Sequence, residues 1–434
     1  MKRLKEILKD DKVGKYFFVL VWACVVIKMS IHSIFYDLYN YNYLDWGVSD
    51  WLINYEGGFV RRGILGQILL ELYRIHPYNV RLFIFLAVIF TSLGLLAIAC
   101  HMFNKKGWSY AILPFGCCFY YEFACLFGRK DMLLLILTYF IFLSYKKYFT
   151  SRSAASLLCF VLLSALILLI HEASFFFTIP ILMAYTVAKT YQQSSPPHCY
   201  ATFKRFLPFV PAFLTMALVC LFKGDGQLPK TIWQSWHSVF QAYPDSNFSL
   251  SYIYNNIGNS VNALSWRTVE TMEYHLNKIG FANHPTNDYC YLAVSIVLWV
   301  WMMLGYYYMV TRLNTVHFRK RPMAQHTEEE LSNTVLLQFV FMLPMFTVLS
   351  CDFGRTIPYW IFSSLMAVYF FGKLNSRPLD QLTHGLQRPF SHPLLHSKLA
   401  YGLMVLTIPL IDCFSPAECY QVQIIKSIIH HLIG

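Results

Sequence analysis

Apolar stretches of about 17–25 residues alternate along this chain with short polar segments, the length one helix needs to cross a bilayer. They fall near 15–37, 80–103, 107–123, 131–146, 155–171, 174–191, 205–222, 289–311, 334–351, 356–373 and 399–414. The pattern predicts an all-α, polytopic helix bundle of about eleven spans, with residues 1–434 forming one integral membrane domain. The third, fourth and tenth runs are short or rich in Tyr and Gly, and no internal repeat is visible. Two polar stretches, 38–79 and 223–288, are too long to be simple turns. Loops of that length usually carry structure or function. The second contains Trp233, Trp236, His237, Trp266 and His275, and is expected to be partly helical and to lie over a site as a lid or groove.

Composition agrees with the pattern. The 434 residues are 56% hydrophobic and 13% charged, with a mean hydropathy of +0.44. A soluble domain carries roughly a quarter charged residues, so most of this surface must face lipid. Tyr and Trp are abundant, as at membrane interfaces. The net charge of +12 does not indicate nucleic acid, because Lys and Arg sit in short runs between apolar stretches. Those runs also orient the chain. With the N-terminus inside, Lys2 to Lys15, Lys105-Lys106, Lys146-Lys147 with Arg152, Lys189 with Lys204-Arg205, Arg312 with Arg319 to Arg321, and Lys373 to Lys398 all face the cytoplasm. They make up roughly two-thirds of the basic residues, as the positive-inside rule requires. The C-terminus then falls outside. The basic start runs into a full-length apolar span with no small-residue cleavage site, so no cleaved signal peptide is expected. The 12 Cys show no paired metal spacing. Cys24, Cys100, Cys159 and Cys220 read as buried free thiols, and Cys413 and Cys419 as a pair able to bridge in an oxidising compartment.

The charges left over are compact motifs on the outer side. The first outer loop holds Asp45, Asp50 and Glu56, then Gly57-Gly58-Phe59-Val60-Arg61-Arg62-Gly63 ahead of an amphipathic stretch. Arginine forks and backbone N–H groups at a helix start suit phosphate oxygens, so a phosphate or pyrophosphate site is one reading and a lipid-headgroup anchor the other. Arg129-Lys130-Asp131 opens the fourth span and His171-Glu172 closes the fifth. Ionisable residues in apolar hairpins are functional candidates, and Glu172 is a general base if burial raises its pKa toward neutrality. Asp352 and Arg355 repeat the acid–Gly–Arg pattern between the ninth and tenth spans. Leaving such charges singly in lipid costs about 2.5–3.5 kcal/mol each. Arg61 or Arg62, Arg129, His171, Glu172, Asp352 and Arg355 are therefore expected to converge on one wet, outward-facing cavity.

These features resemble the bacterial surface-polysaccharide polymerases of the Wzy and EpsG-like type, whose folds are related to the GT-C glycosyltransferases. The resemblance rests on Arg129 at the start of a mid-chain span and on His171 before the Pro180 helix. It rests also on the large outer loop followed by Asp352 and Arg355, and on the acidic first loop. It implies an O-antigen, capsule or exopolysaccharide enzyme of the bacterial inner membrane. Its substrate would be a polyprenyl-diphosphate-linked glycan on the outer side of that membrane, and its partners the lipid bilayer and other assembly proteins. By this resemblance Arg61, Arg62, Arg129, Lys130 and Arg355 hold the diphosphate. Glu172, His171, Asp50 and Glu56 are the catalytic candidates, and Asp45, Asp131 and Asp352 support them. No cofactor is expected. Metal-dependent GT-C enzymes carry an Asp-X-Asp that is missing here, although Asp45, Asp50 and Glu56 could supply carboxylates. A transporter or flippase of lipid-linked glycans, and a non-catalytic envelope assembly partner, remain the other readings. A transporter usually shows repeats and midplane charges, and only Lys28 lies within a span away from the helix ends.

Overall fold

The computed structural model of the chain describes residues 46–106, 129–193, 199–222, 227–241, 324–347 and 353–372, with isolated positions at 20, 24, 27, 224, 297, 300, 304, 307 and 349. The described residues are helical and contain no strand. The helices are α1 (Trp46–Trp51), α2 (Gly63–Ile75), α3 (Val80–Lys106), α4 (Asp131–Ser151), α5 (Ala154–Ile170) and α6 (Ser174–Gln193). They continue with α7 (Cys199–Phe206), which runs through a 3-10 turn into α8 (Val210–Leu221), then α9 (Leu228–Gln241), α10 (Ala324–Thr347) and α11 (Phe353–Phe371). Among the described residues three runs are long and apolar enough to cross a membrane: Val80–Met102, Asp131–Ser151 and Phe203–Leu221. Shorter apolar helices occupy Ala154–Ile170, Ser174–Thr190, Asn333–Phe346 and Thr356–Phe371. All coincide with runs expected from the sequence. The runs at 15–37, 107–123, 289–311 and 399–414 lie wholly or almost wholly outside the described residues.

The chain divides into two compact units, the first comprising Met1–Lys105, Tyr120–Ile179 and Phe203–Trp266, the second Lys106–Phe119, Pro180–Thr202 and Arg267–Gly434. In the first, α4 is the central helix, with buried side chains almost all round it. A helix apolar on every face sits inside a protein or in lipid, not on a water-soluble surface. The two residues Arg152 and Ser153 turn the chain into α5. Arg152 takes the left-handed conformation at φ 56° and caps α4 through its N–H to the Tyr148 carbonyl at 2.8 Å. The Ser153 side chain accepts from the Ser156 N–H at the start of α5. So α4 and α5 form an antiparallel hairpin. Helix α8 packs on α5, with Phe209 against Phe160 and Tyr145 near the hairpin turn, and runs parallel to it. Lys146, Lys147 and Arg152, with Lys204 and Arg205 before α8, therefore mark one end of the unit. The opposite end holds Lys130, His171, Glu172 and Phe222.

The outer faces of these helices are apolar. Phe90 of α3, Leu158 and Leu162 of α5 and Leu214 of α8 are each about as exposed as a side chain on a free surface, at 68%, 59%, 59% and 61%. Such faces suit lipid. Hydroxyls within the helices donate to carbonyls four residues back, as Ser92, Thr138, Thr186 and Thr190 do, which satisfies polar groups where no water is present. Cys100 is half-buried, but Cys159 and Cys220, like Cys24, lie on the surface. The expected burial inside the protein is corrected: a small apolar thiol is equally at home on a face turned to lipid.

A second layer covers the end of the unit that carries Lys130 and Glu172. Helices α1, α2 and α9 and the start of α3 share a core of Trp51, Leu52, Ile53, Val60, Leu69, Leu70, Val80, Ile84, Trp233 and Trp236. Helix α9 turns Leu228, Ile232, Trp236 and Val239 inward, a helical stripe spaced by three or four residues. Two hydrogen bonds tie it to the first loop: the Trp236 indole N–H donates to the Leu52 carbonyl at 2.8 Å, and the Asn54 amide donates to the Ser235 hydroxyl at 2.8 Å. The 223–288 loop is thus helical over Leu228–Gln241, and residues 223, 225, 226 and 242–288 lie outside the described residues. Gly66 lets α2 press onto the chain, because a β-carbon there would run into the Ile53 carbonyl. Backbone cannot give way as a side-chain tip can. Gly66→Ala is expected to lower stability by about 1–3 kcal/mol, as overpacking does, and unchanged thermal unfolding in detergent micelles would show that this layer is looser than described.

In the second unit α10 and α11 pack together. Trp360 donates to the Val335 carbonyl at 2.7 Å, and Gln338 to the Ser363 hydroxyl at 2.8 Å. Interhelical bonds of this kind contribute roughly 0.6–2 kcal/mol in a membrane.

Candidate functional site

The charged motifs of the first unit meet at the end where the second layer sits. Arg61 and Arg62 precede α2, Asp50 lies in α1, Lys130 precedes α4, and His171 and Glu172 occupy the turn between α5 and α6. The α4–α5 hairpin puts Lys130 beside the end of α5, where its ammonium donates to the Ile170 carbonyl at 3.3 Å. The Arg61 N–H donates to the Phe222 carbonyl at 3.2 Å, and Phe59 lies edge-on to the Phe222 ring. The end of α8 therefore holds the arginine pair in place.

Glu172 is the hub. Arg62 Nε donates to Glu172 Oε1 and Oε2 at 3.1 and 2.9 Å, and Arg62 Nη2 donates to Oε1 as well. Arg61 Nη1 adds a bond at 3.3 Å. Arg62 Nη1 also reaches to 3.7 Å from Asp50 Oδ1, while Lys130 Nζ is 3.1 Å from Asp50 Oδ2. Lys130 is fully buried and Asp50 is 5% exposed. Burial pushes the Lys130 ammonium below its ordinary pKa, and Asp50 opposes that shift. Arg62 holds its position at a backbone cost. Its φ is 65°, in the left-handed region, which costs an L residue roughly 1–2 kcal/mol. Non-glycine residues are kept there where surrounding contacts over-determine them, and here two carboxylates grip the guanidinium.

The expectation that burial would carry Glu172 toward neutrality is corrected. Burial does act upward on this carboxyl and is the largest single influence. The charges of Arg62, Arg61 and His171 and the Arg62 hydrogen bond together outweigh it and hold the group well below the usual carboxylate range. As the cluster stands, Glu172 is an ionised anchor and a weak base. Because its folded pKa is depressed, its contribution to stability is present above the unfolded value of 4.5 and is lost as pH falls below that. Thermal unfolding of the wild type is therefore expected to shift downward between about pH 5 and pH 3. A Glu172→Gln protein with the same acid dependence would show that another group is responsible.

His171 is buried, and its Nδ1 accepts from the Ala173 N–H at 3.3 Å. That bond places the proton of the neutral ring on Nε2. His171 Nδ1 also lies 3.9 Å from Glu172 Oε2.

Other candidates fall elsewhere. Glu56 belongs to a more exposed network with Arg74 at 2.9 Å and, through Arg74, Glu71. The Arg74 hydrogen bond lowers its pKa. Arg129 is half-buried, and Lys130 beside it makes the contact with Asp50. Asp131 is buried in the first turn of α4, where a carboxylate suits the helix dipole. Asp45 and Asp352 lie outside the described residues, and Arg355 falls in the first turn of α11 in the second unit. Two residues went unmarked in the sequence. Arg81 is buried in the first turn of α3, and a cation just inside an apolar run is a signal that would have found it. Gln67, which accepts from the Tyr55 N–H at 2.8 Å, gave no such signal.

Among the described residues no group of three His, Cys, Asp or Glu side chains is placed to hold a metal ion. Of the carboxylates that could serve a metal, Asp50 is gripped by Lys130 and Arg62 and Glu56 by Arg74, cations that compete with a metal for their oxygens, and Asp45 lies outside the described residues. Comparison with family models, curated proteins and solved structures finds no match for this chain.

Proposed function

We propose that this protein is a bacterial membrane glycosyltransferase that joins polyprenyl-diphosphate-linked oligosaccharides during surface-polysaccharide assembly. The observation that carries the reading is the buried cluster at one end of the first unit. Three cations, Arg61, Arg62 and Lys130, outnumber two carboxylates, Asp50 and Glu172, and two of the cations are arginine forks suited to phosphate oxygens. Clustered basic residues at the far end of the same helices, Lys146, Lys147, Arg152, Lys204 and Arg205, support an orientation with the cluster on the outer side.

In this reading an acceptor hydroxyl attacks the anomeric carbon of the lipid-linked glycan, and the bond to the polyprenyl diphosphate breaks. Arg61, Arg62 and Lys130 stabilise the charge gathering on the departing diphosphate, with Arg129 as a further candidate. A carboxylate takes the hydroxyl proton. His171 is placed to orient, since its Nδ1 is already engaged by Ala173. A glycan-ladder assay in membranes, with protein level measured alongside, tests the reading. Full-length glycan from well-expressed Glu172→Gln and Arg62→Lys proteins would remove it. Topology is tested separately by labelling single cysteines placed at 105, 152 and 204, which are expected to react from the cytoplasmic side. Labelling of the 152 turn from outside would invert the arrangement.

A further inference from the structure

The arginine pair is occupied by the protein's own carboxylate. We propose that Glu172 is a displaceable occupant of an oxyanion site made by Arg61 and Arg62, and that the group displacing it is a phosphate or diphosphate. The inference rests on reading the cluster as anion-handling, and it does not depend on what the lipid-linked group carries.

Four observations lead to it. A carboxylate held side-on by Arg62 Nε and Nη2 presents two oxygens to the guanidinium fork, as a phosphate does. The arginines are the fixed partners: Arg62 enters α2 in a strained backbone conformation, and Arg61 is tied through its N–H to Phe222. Glu172 is the movable partner in this proposal: it stands in the short turn between Ile170 and Ser174, and its side chain keeps 17% of its surface exposed. Finally, Asp50 is shared with Lys130 at 3.1 Å, so it does not follow Glu172 out. The vacated site keeps its excess of positive charge.

Displacement changes the chemistry of Glu172. The charged groups that act on it are Arg61 and Arg62 from the segment before α2, His171 beside it and Lys130 before α4; Asp50 of α1 shares Arg62 and Lys130 with it, and Cys220 of α8 lies near Arg61. Once an anion neutralises the arginines, burial and the neighbouring Asp50 carboxylate both favour the protonated acid. Anion binding is then coupled to uptake of a proton by Glu172. In the transferase reading the acceptor hydroxyl is the source of that proton, so Glu172 gains the basicity to accept it only when the diphosphate is seated.

The test uses the full chain in detergent micelles at neutral pH. Calorimetry with inorganic pyrophosphate gives the affinity. Calorimetry with sulfate, which does not itself titrate near neutrality, in two buffers of different ionisation enthalpy gives the proton count. The wild type is expected to take up a proton on binding sulfate. Glu172→Gln is expected to bind pyrophosphate about tenfold more tightly or better, since the competing carboxylate is gone, and to take up no proton. Equal or weaker pyrophosphate binding by a folded Glu172→Gln protein would overturn the proposal. So would wild-type sulfate binding without proton uptake, a result that stands even if the variant does not fold. Absence of any anion binding would overturn it together with the anion-handling reading. Proton-linked binding in a protein inactive in the glycan assay would leave the displaceable carboxylate in place and remove only the transferase.

Discussion

Replacing Arg62 by lysine is expected to cut glycan transfer by about 10²–10³-fold, the loss seen when one charge-stabilising donor is removed from an oxyanion site. The substitution keeps the positive charge and, because lysine meets the same penalty at φ 65°, leaves the backbone cost unchanged. What it removes is the fork that contacts both Glu172 oxygens and reaches Asp50. A point charge on a flexible stem reproduces neither contact in plane. Arg62→Gly is the informative companion, since it relieves the backbone and deletes the fork together. Both variants should lose activity while Arg62→Gly alone relaxes the loop. Transfer within about threefold of wild type in Arg62→Lys, on the glycan-ladder assay, would mean that charge alone is needed there.

The second large effect concerns stability and holds whatever the function. Lys130→Met is expected to destabilise the protein by about 3–5 kcal/mol, because it takes from a buried carboxylate its closest cation. Asp50 would lose Lys130 at 3.1 Å and keep the more distant Arg62 at 3.7 Å. Removing both charges with Lys130→Met and Asp50→Leu is expected to cost clearly less than the two single changes added together, since an apolar pair often matches a buried ion pair. Arg62 then retains Glu172. Thermal unfolding of the four proteins in micelles gives the coupling. Additive losses would mean that Lys130 and Asp50 do not act as a pair.

Hydropathy made the helices legible because lipid imposes a length and a composition on any crossing segment. The runs at 80–103, 131–146, 155–171 and 205–222 therefore reappear as α3, α4, α5 and α7 to α8 with ends shifted by a few residues. The clustering of Arg61, Arg62, His171 and Glu172 was legible for a related reason: charges at the same end of antiparallel helices share a depth. Two things were not legible. Which member of Arg129-Lys130 faces Asp50 depends on the rotation of α4 about its axis, and an α-helix apolar on every side leaves no periodicity from which to read that rotation. The ionisation of Glu172 depends on a contest between burial and two arginines 111 and 110 residues upstream, and only their separation in space decides it. The layer of α1, α2 and α9 was visible as two long outer loops, the first with an amphipathic stretch and the second expected to be partly helical; that they share one core was not, because a core assembled from short segments far apart in sequence has no local pattern.

That layer sets a constraint on how the protein is made. The Leu52 carbonyl and the Trp236 indole are 184 residues apart, so at a synthesis rate of about 5–20 residues per second the first half waits roughly 10–40 s for the second to emerge. During that interval Trp51, Leu52 and Ile53 have no α9 to cover them, and the segment bearing Arg61 and Arg62 lacks its anchor on Phe222. Until α9 docks, the nascent chain exposes that apolar surface, the condition under which unfinished chains are prone to aggregate and need chaperones.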